Sequence, residues 1–369
     1  MRTLFLTVVE TEYYLMDKNN NPSLFGLANS NKDFSKKQSW GKNIFNNAFP
    51  ASLTCYFKYI GLHPVYLTLD SHSNIEHGYL SVNDTFGIDP TQSNTFFAFE
   101  SDFAPYRPFV IDNLPRADLV ILDDENGICT STLEIKLTAL PDNSTYNRKE
   151  NLFGCELVVR PDTIVYMALS IAREFRHQRD TLRQYLSDIP QIDDWTNIEE
   201  ISILIPTIAD VIDNLLLANL HLQRPLILQP IWKTEGKSLL LHEDAFDIFV
   251  WSNFAFTRLF FRDRNNIKGK PTRGARTITW LAKMLLDFSI KGKIDHQYVI
   301  DGMSFNTKND KAFAVNGRVT QPYMTSPELI KPRVKKEALR EIILGGGENY
   351  LSPERRLDAA ILSTPELFD

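Results

Sequence analysis

The sequence has few cysteines: Cys55, Cys129 and Cys155 are odd in number and far apart, which argues against a disulfide framework and against a cysteine zinc site. A reducing cytoplasm suits that usage. Long apolar runs are also missing. Ile201 to Leu220 comes closest to membrane-spanning length but contains Pro206, Asp210 and Asp213, so a soluble protein with no membrane partner is expected. The opening MRTLFLTVVETEYYLMDKNN lacks a basic region leading to a small-residue cleavage site, so no secretory signal is expected. No glycine cluster cradles phosphate: Gly345-Gly346-Gly347 is not followed by Lys-Ser/Thr and reads as the end of a helix starting near Ser326. No Ser-His-Asp or Cys-His order can be nominated. His72, Glu76 and His77 form a partial ligand set, better read as surface residues of a long loop.

What is present is an ordinary globular composition, 43% hydrophobic and 23% charged over 369 residues, enough for one large domain or two. Residues 2–16 read as a strand pair, 43–60 as a helix interrupted near Pro50, and 64–70 as a strand. The stretch 71–107 shows no clear pattern, and Glu100 and Asp102 within it read as turn acids that could add an outer carboxylate to a metal site. Pro161-Asp162-Thr163 opens a helix expected to run to Leu186, with proline and an acid in its first turn and Ile164, Met167, Ala168, Ile171 and Phe175 as its core stripe. Arg173, Arg176 and Arg179 read as its solvated face. The acidic stretch 187–198 divides an expected 1–190 unit from 199–369. Beyond it the pattern predicts a helix over 207–220, a hairpin over 226–241, an aromatic helix over 243–261 with Phe246, Phe249, Val250, Phe254 and Leu259 as core, and a further helix over 277–290.

The chemistry concentrates in PRADLVILDDENGICTSTLEIKL, Pro115 to Leu137. Ala117 to Leu122 suits a buried strand, Asp123 to Gly127 a turn ending in Asn-Gly, and Ile128 to Leu137 the returning strand. Alternation sends Leu133, Ile135 and Leu137 to one face and Glu134 with Lys136 to the other. Antiparallel pairing brings Asp118 close to that second pair. Two carboxylates and an ammonium on one face suit a divalent cation such as Mg²⁺, held by Asp118, Glu134 and the Ile135 carbonyl. Lys136 would orient or deprotonate the water that attacks phosphorus, which is phosphodiesterase chemistry. The bland reading is an ordinary ion pair on an exposed sheet face. A second acidic-x-lysine triplet, Glu235-Gly236-Lys237, reads as a solvated turn.

At these residues the chain resembles the PD-(D/E)XK nuclease superfamily, in which an acidic residue and a hairpin precede acidic-x-lysine: here Asp118, then Glu134-Ile135-Lys136. The proline stands three residues before the aspartate, at Pro115, rather than beside it, and it does no chemistry. Trp40 to Leu53 (WGKNIFNNAFPASL), Leu133 to Thr145 (LEIKLTALPDNST) and Gly154 to Ile164 (GCELVVRPDTI) resemble the HindVP-type family of type II restriction endonucleases. The resemblance implies an α/β fold with a mixed central sheet flanked by helices, a PD-(D/E)XK core in the first half and a mainly helical, basic second half. It further implies Mg²⁺-dependent cleavage of double-stranded DNA at GRCGYC, a homodimer on that palindrome, and a companion methyltransferase protecting the host. The rival readings are a DNA-binding protein that keeps the fold without cutting, and a repair or structure-specific nuclease.

Charge is polarised along the chain. Residues 258–340 carry 18 Lys+Arg against 7 Asp+Glu, or +11, so with −6 overall the remainder carries −17. An acidic body with one basic segment suits a protein that grips a polyanion at one surface. Lys268, Lys270, Arg273 and Arg276 lie in a glycine-punctuated basic loop and are the expected DNA contacts, the lysines on phosphate and an arginine on guanine. A merely solvated basic loop is the alternative.

Overall fold

Among the described residues of the computed structural model there are nine strands: β1 (Val65–Leu69), β2 (Ile75–Tyr79), β3 (Thr95–Ser101), β4 (Ala117–Asp123), β5 (Ile128–Ile135), β6 (Glu156–Val159), β7 (Pro225–Thr234), β8 (Leu241–Ser252) and β9 (Phe313–Asn316). Residues 29–31, 42–59, 61–136, 156–234, 241–263, 271–305 and 313–316 are described. Seven strands make one sheet in the order β2-β1-β8-β7-β5-β4-β3, and β6 pairs separately with β9. The sheet is mixed: β1 with β8 and β5 with β7 run parallel, and its other neighbours run antiparallel. Helices flank it, as expected.

The two central strands come from the far half of the chain. Asp247 to Ser252 are all buried, with Ile248, Phe249, Val250 and Trp251 fully so. A strand covered on both faces reads as a continuous apolar run rather than an alternation, which is why the expected helix over 243–261 is instead β8 followed by the short helix placed at Asn253–Arg258. Phe249, Val250, Phe254 and Leu259 are nevertheless core; the Phe246 side chain lies outside the described residues.

The helices are α1 (Lys42–Tyr59), α2 (Val82–Phe86), α3 (Pro161–Glu174), α4 (Arg179–Tyr185), α5 (Ile198–Ala218), α6 (Asn253–Arg258), α7 (Arg273–Lys291) and α8 (His296–Gly302). Pro50 does not interrupt α1, which runs through it. The helix expected over 161–186 breaks at Phe175, and α4 resumes after Gln178. The predicted stripe Ile164, Met167, Ala168, Ile171, Phe175 is buried, yet so is every residue from Thr163 to Ala172, so α3 is a core helix without a solvated face. Only past that run does the expected surface begin: Arg173 is half-buried with its guanidinium over the Phe103 ring at 5.7 Å, while Arg176 and Arg179 are exposed.

Helix α5 starts nine residues before the expected Thr207. Asn197 caps it, accepting from the backbone N–H groups of Glu199 and Glu200, and Pro206 sits inside it. It is long and apolar enough to cross a membrane by composition alone, but here Ile201, Ile205, Ile208, Ile212 and Leu215 enter the core. One apolar cluster joins Val65, Val120, Ile164, Ile212, Trp251 and Trp280, and strands from both sides of residues 187–198 share the sheet. The stretch 71–107, which shows no clear sequence pattern, holds β2, α2 and β3. Strand β2 is an exposed edge, so no buried face imposes alternation on it.

Candidate active site

The hairpin of β4 and β5 forms as its sequence predicts. Asp123 ties its turn: Oδ2 accepts from Asn126 Nδ2 at 2.6 Å and Oδ1 from Asn94 Nδ2 at 2.8 Å, bonds that hold this carboxyl below its ordinary range. Gly127 takes φ 64° at the end of the turn, a conformation glycine adopts without strain. Leu119 pairs with Leu133, so Asp118 and Glu134 stand level on neighbouring strands. The far end is tethered by Tyr166 of α3, whose hydroxyl donates to the Pro115 carbonyl at 2.8 Å.

Lys136 bridges the two acids. Its Nζ donates to Glu134 Oε2 at 2.9 Å and to Asp118 Oδ2 at 3.2 Å. Asp118 Oδ2 also accepts the Ile135 N–H at 2.9 Å. Beyond the end of β5, the Lys136 N–H still bonds the Leu228 carbonyl of β7 at 3.0 Å. Backbone direction alternates along a strand, so the N–H and C=O of Ile135 face the opposite way, toward Asp118. The expected cluster is therefore assembled, but not on an exposed face: Glu134 is 4% and Lys136 9% exposed, while the Asp118 side chain keeps 28%.

Burial decides the electrostatics. It pushes the Glu134 carboxyl up from its ordinary value, against the pull of Lys136. It would lower Lys136, but Asp118 and Glu134 together outweigh it and hold the ammonium above its ordinary value. A buried carboxylate needs its lone pairs engaged, and Glu134 Oε2 is doubly engaged, by Lys136 and by the Thr163 hydroxyl at 2.8 Å. Glu134 Oε1 is buried and has no hydrogen-bond partner among the described residues.

That orphaned oxygen is the structural reason to expect a cation. Glu134 Oε1, the Asp118 carboxylate and the Ile135 carbonyl are hard oxygen donors, the set Mg²⁺ prefers over softer N/S ligands. Among the described residues no group of three or more His, Cys, Asp or Glu could hold a metal; the two carboxylates here would suit an ion that completes its shell with water or phosphate. His72 and His77 are exposed, and Glu76 is engaged by Thr68 at 3.4 Å. Asp102 pairs with Arg107 at 2.8 Å, and Glu100 is half-buried at the end of β3 with φ 49°.

Sequence reading missed the shell around this cluster. Thr163 and Asp162 come from the first turn of α3, and Asp162 is raised by burial while Arg160, His296 and Lys136 pull it back. His296, the first residue of α8, is buried, and its Nδ1 has no partner among the described residues. On β7, Gln229 is level with Lys136 and fully buried, its Oε1 accepting the Trp251 indole N–H at 2.6 Å. None carries a local signal, because each is placed by packing between segments far apart in sequence.

The basic loop fares unevenly. Lys268 and Lys270 lie outside the described residues, as do Glu235 and Lys237. Helix α7 begins at Arg273, four residues earlier than expected, capped by Thr272, whose side chain accepts from the Ala275 N–H. That start turns Arg276 inward. It is 2% exposed, its guanidinium donates to the Ser304 carbonyl at 3.0 Å and lies over the Trp280 ring, so as placed it offers nothing to a base edge.

The family model for the HindVP restriction endonuclease matches residues 40–368. The chain is 47% identical over 357 residues to the type II restriction enzyme HgiDI of Herpetosiphon aurantiacus, covering 96% of this chain and 99% of that protein. It is 39% identical over 349 residues to the probable type II restriction enzyme HindVP of Haemophilus influenzae (strain ATCC 51907 / DSM 11121 / KW20 / Rd), covering 94% and 95%. No solved structure matches it.

Proposed function

The chain belongs to the HindVP restriction endonuclease family and is a type II site-specific endonuclease, and from that premise we propose that it hydrolyses phosphodiester bonds of double-stranded DNA with Mg²⁺ at the β4–β5 hairpin. The observation that carries this reading is the Lys136 ammonium held between Asp118 and Glu134 beside a buried carboxylate oxygen that lacks a donor among the described residues. Asp118, Glu134 and the Ile135 carbonyl would hold the cation, which when bound neutralises charge growing on the phosphate and makes water a better nucleophile. Lys136, bonded to both carboxylates, would orient or deprotonate the attacking water and stabilise negative charge at phosphorus. Asp118 is the most exposed member and lines the side from which a phosphate backbone can approach.

The HindVP-type resemblance supports GRCGYC as the site cut. A two-fold palindrome matched by two copies of the chain gives each strand one catalytic hairpin. A methyltransferase acting on the same site would protect the host DNA, and the whole system would operate in the cytoplasm. We assign phosphate contacts to Lys268 and Lys270 and a base or phosphate contact to Arg273, from sequence and charge alone. Arg276 we assign to bracing α7.

The test is digestion of plasmid DNA with and without Mg²⁺. Discrete fragments that need Mg²⁺ and end within GRCGYC are expected. Fragments with no common sequence would sink the specificity, and intact plasmid under all divalent cations would favour a non-cutting DNA binder.

A further inference from the structure

We infer that Thr163 is a positioning residue that fixes the Glu134 carboxylate, holding Oε2 so that Oε1 would be the oxygen left for the cation. The inference rests on the reading of Glu134 as a ligand given above and goes beyond it. Three other buried threonines on helices serve their own helix: Thr54, Thr257 and Thr279 each donate to the carbonyl four residues back, Pro50, Asn253 and Ala275. Thr163 stands in the first turn of α3, where no helical carbonyl lies four residues back, and its hydroxyl crosses to another element, donating to Glu134 Oε2 at 2.8 Å. It is fully buried.

Two donors therefore converge on one oxygen, Thr163 Oγ1 and Lys136 Nζ at 2.9 Å, and the other, also buried, has no partner among the described residues. Rotating the carboxylate would break both bonds inside a low-dielectric site. The hydroxyl is itself fixed: threonine is stiff about χ1, α3 is buried from Thr163 to Ala172, and Tyr166 ties α3 to the start of β4. Partners that orient a ligand from behind are worth about 10–100-fold in metal affinity.

The experiment compares Thr163→Val, which keeps shape and loses the hydroxyl, with Thr163→Ser, which keeps the hydroxyl, and with Glu134→Ala. Two quantities are read: the Mg²⁺ concentration for half-maximal plasmid cleavage, and Mn²⁺ binding to the full chain without DNA by titration calorimetry. Thr163→Val should weaken both by about tenfold or more while the chain stays folded, and Thr163→Ser should stay close to the parent. Should Thr163→Val fail to fold, Thr163→Ala carries the same expectation. Parental Mn²⁺ and Mg²⁺ dependence in a folded hydroxyl-less variant, with Glu134→Ala inactive, overturns the role of Thr163 alone. A fully active Glu134→Ala overturns the ligand reading and this inference with it.

Discussion

At the scale of single residues, Asp118, Glu134 and Lys136 act as one unit, so single losses should not add. Asp118→Ala, Glu134→Ala and Lys136→Ala should each abolish detectable cleavage while DNA binding in Ca²⁺ persists, and Asp118→Ala/Glu134→Ala should be no worse than either alone. Glu235→Ala, in the other acidic-x-lysine triplet, should cut at the parental rate. Normal cutting by Glu134→Ala is the outcome that removes the assignment. These three residues were legible because a period of two places Glu134 and Lys136 on one face and an antiparallel register brings Asp118 beside them. His296 was not. Burial lowers its pKa from the ordinary 6.5, opposed by Asp162, Asp295 and Asp112. A lowered folded value means the unfolded chain binds the proton more readily, so stability rises with pH through the region just below 6.5 and is lost as pH falls through it. Asp162, raised above its ordinary 3.8 by burial, acts in the opposite sense, so a variant is needed to isolate the histidine. From pH 5 to 7 the melting temperature of the parent should gain on that of His296→Gln; equal slopes would exclude His296 as a contributor.

At the scale of elements, the β4–β5 hairpin is legible from its Asn-Gly turn and the alternation along β5, whereas β8 reads as a helix because a continuous apolar run carries no period. The start of α7 depends on Thr272 as its cap, and moving that start from 277 to 273 changes Arg276 from a loop cation into a buried brace against Ser304 and Trp280. Arg276→Ala should therefore destabilise the protein, by about 2 kcal/mol from the lost charged hydrogen bond and more from lost packing. Its relative affinity for cognate and random duplexes should be unchanged. A fully stable variant that loses discrimination would return Arg276 to the DNA interface.

At the scale of the whole molecule, the polarised charge and the palindrome bear on how DNA is held. In Ca²⁺, two copies should occupy one cognate duplex by light scattering. Lys268→Ala and Lys270→Ala should each weaken binding to cognate and random DNA alike and lower the salt slope by about 1 per subunit. A single copy on the duplex counts against the dimer, and unchanged salt slopes make the basic loop an ordinary solvated surface. The sequence by itself determined the hairpin and the identity of its three charged residues, because strand alternation and turn chemistry act over a few neighbours, while the class of fold came with the family resemblance. Tertiary structure decided the rest. Only packing between distant segments could insert β7 and β8 into the middle of the sheet, bury the Lys136 cluster, bring Thr163 and His296 to its edge, and turn Arg276 inward, since burial depends on what covers a residue and not on what adjoins it in the chain.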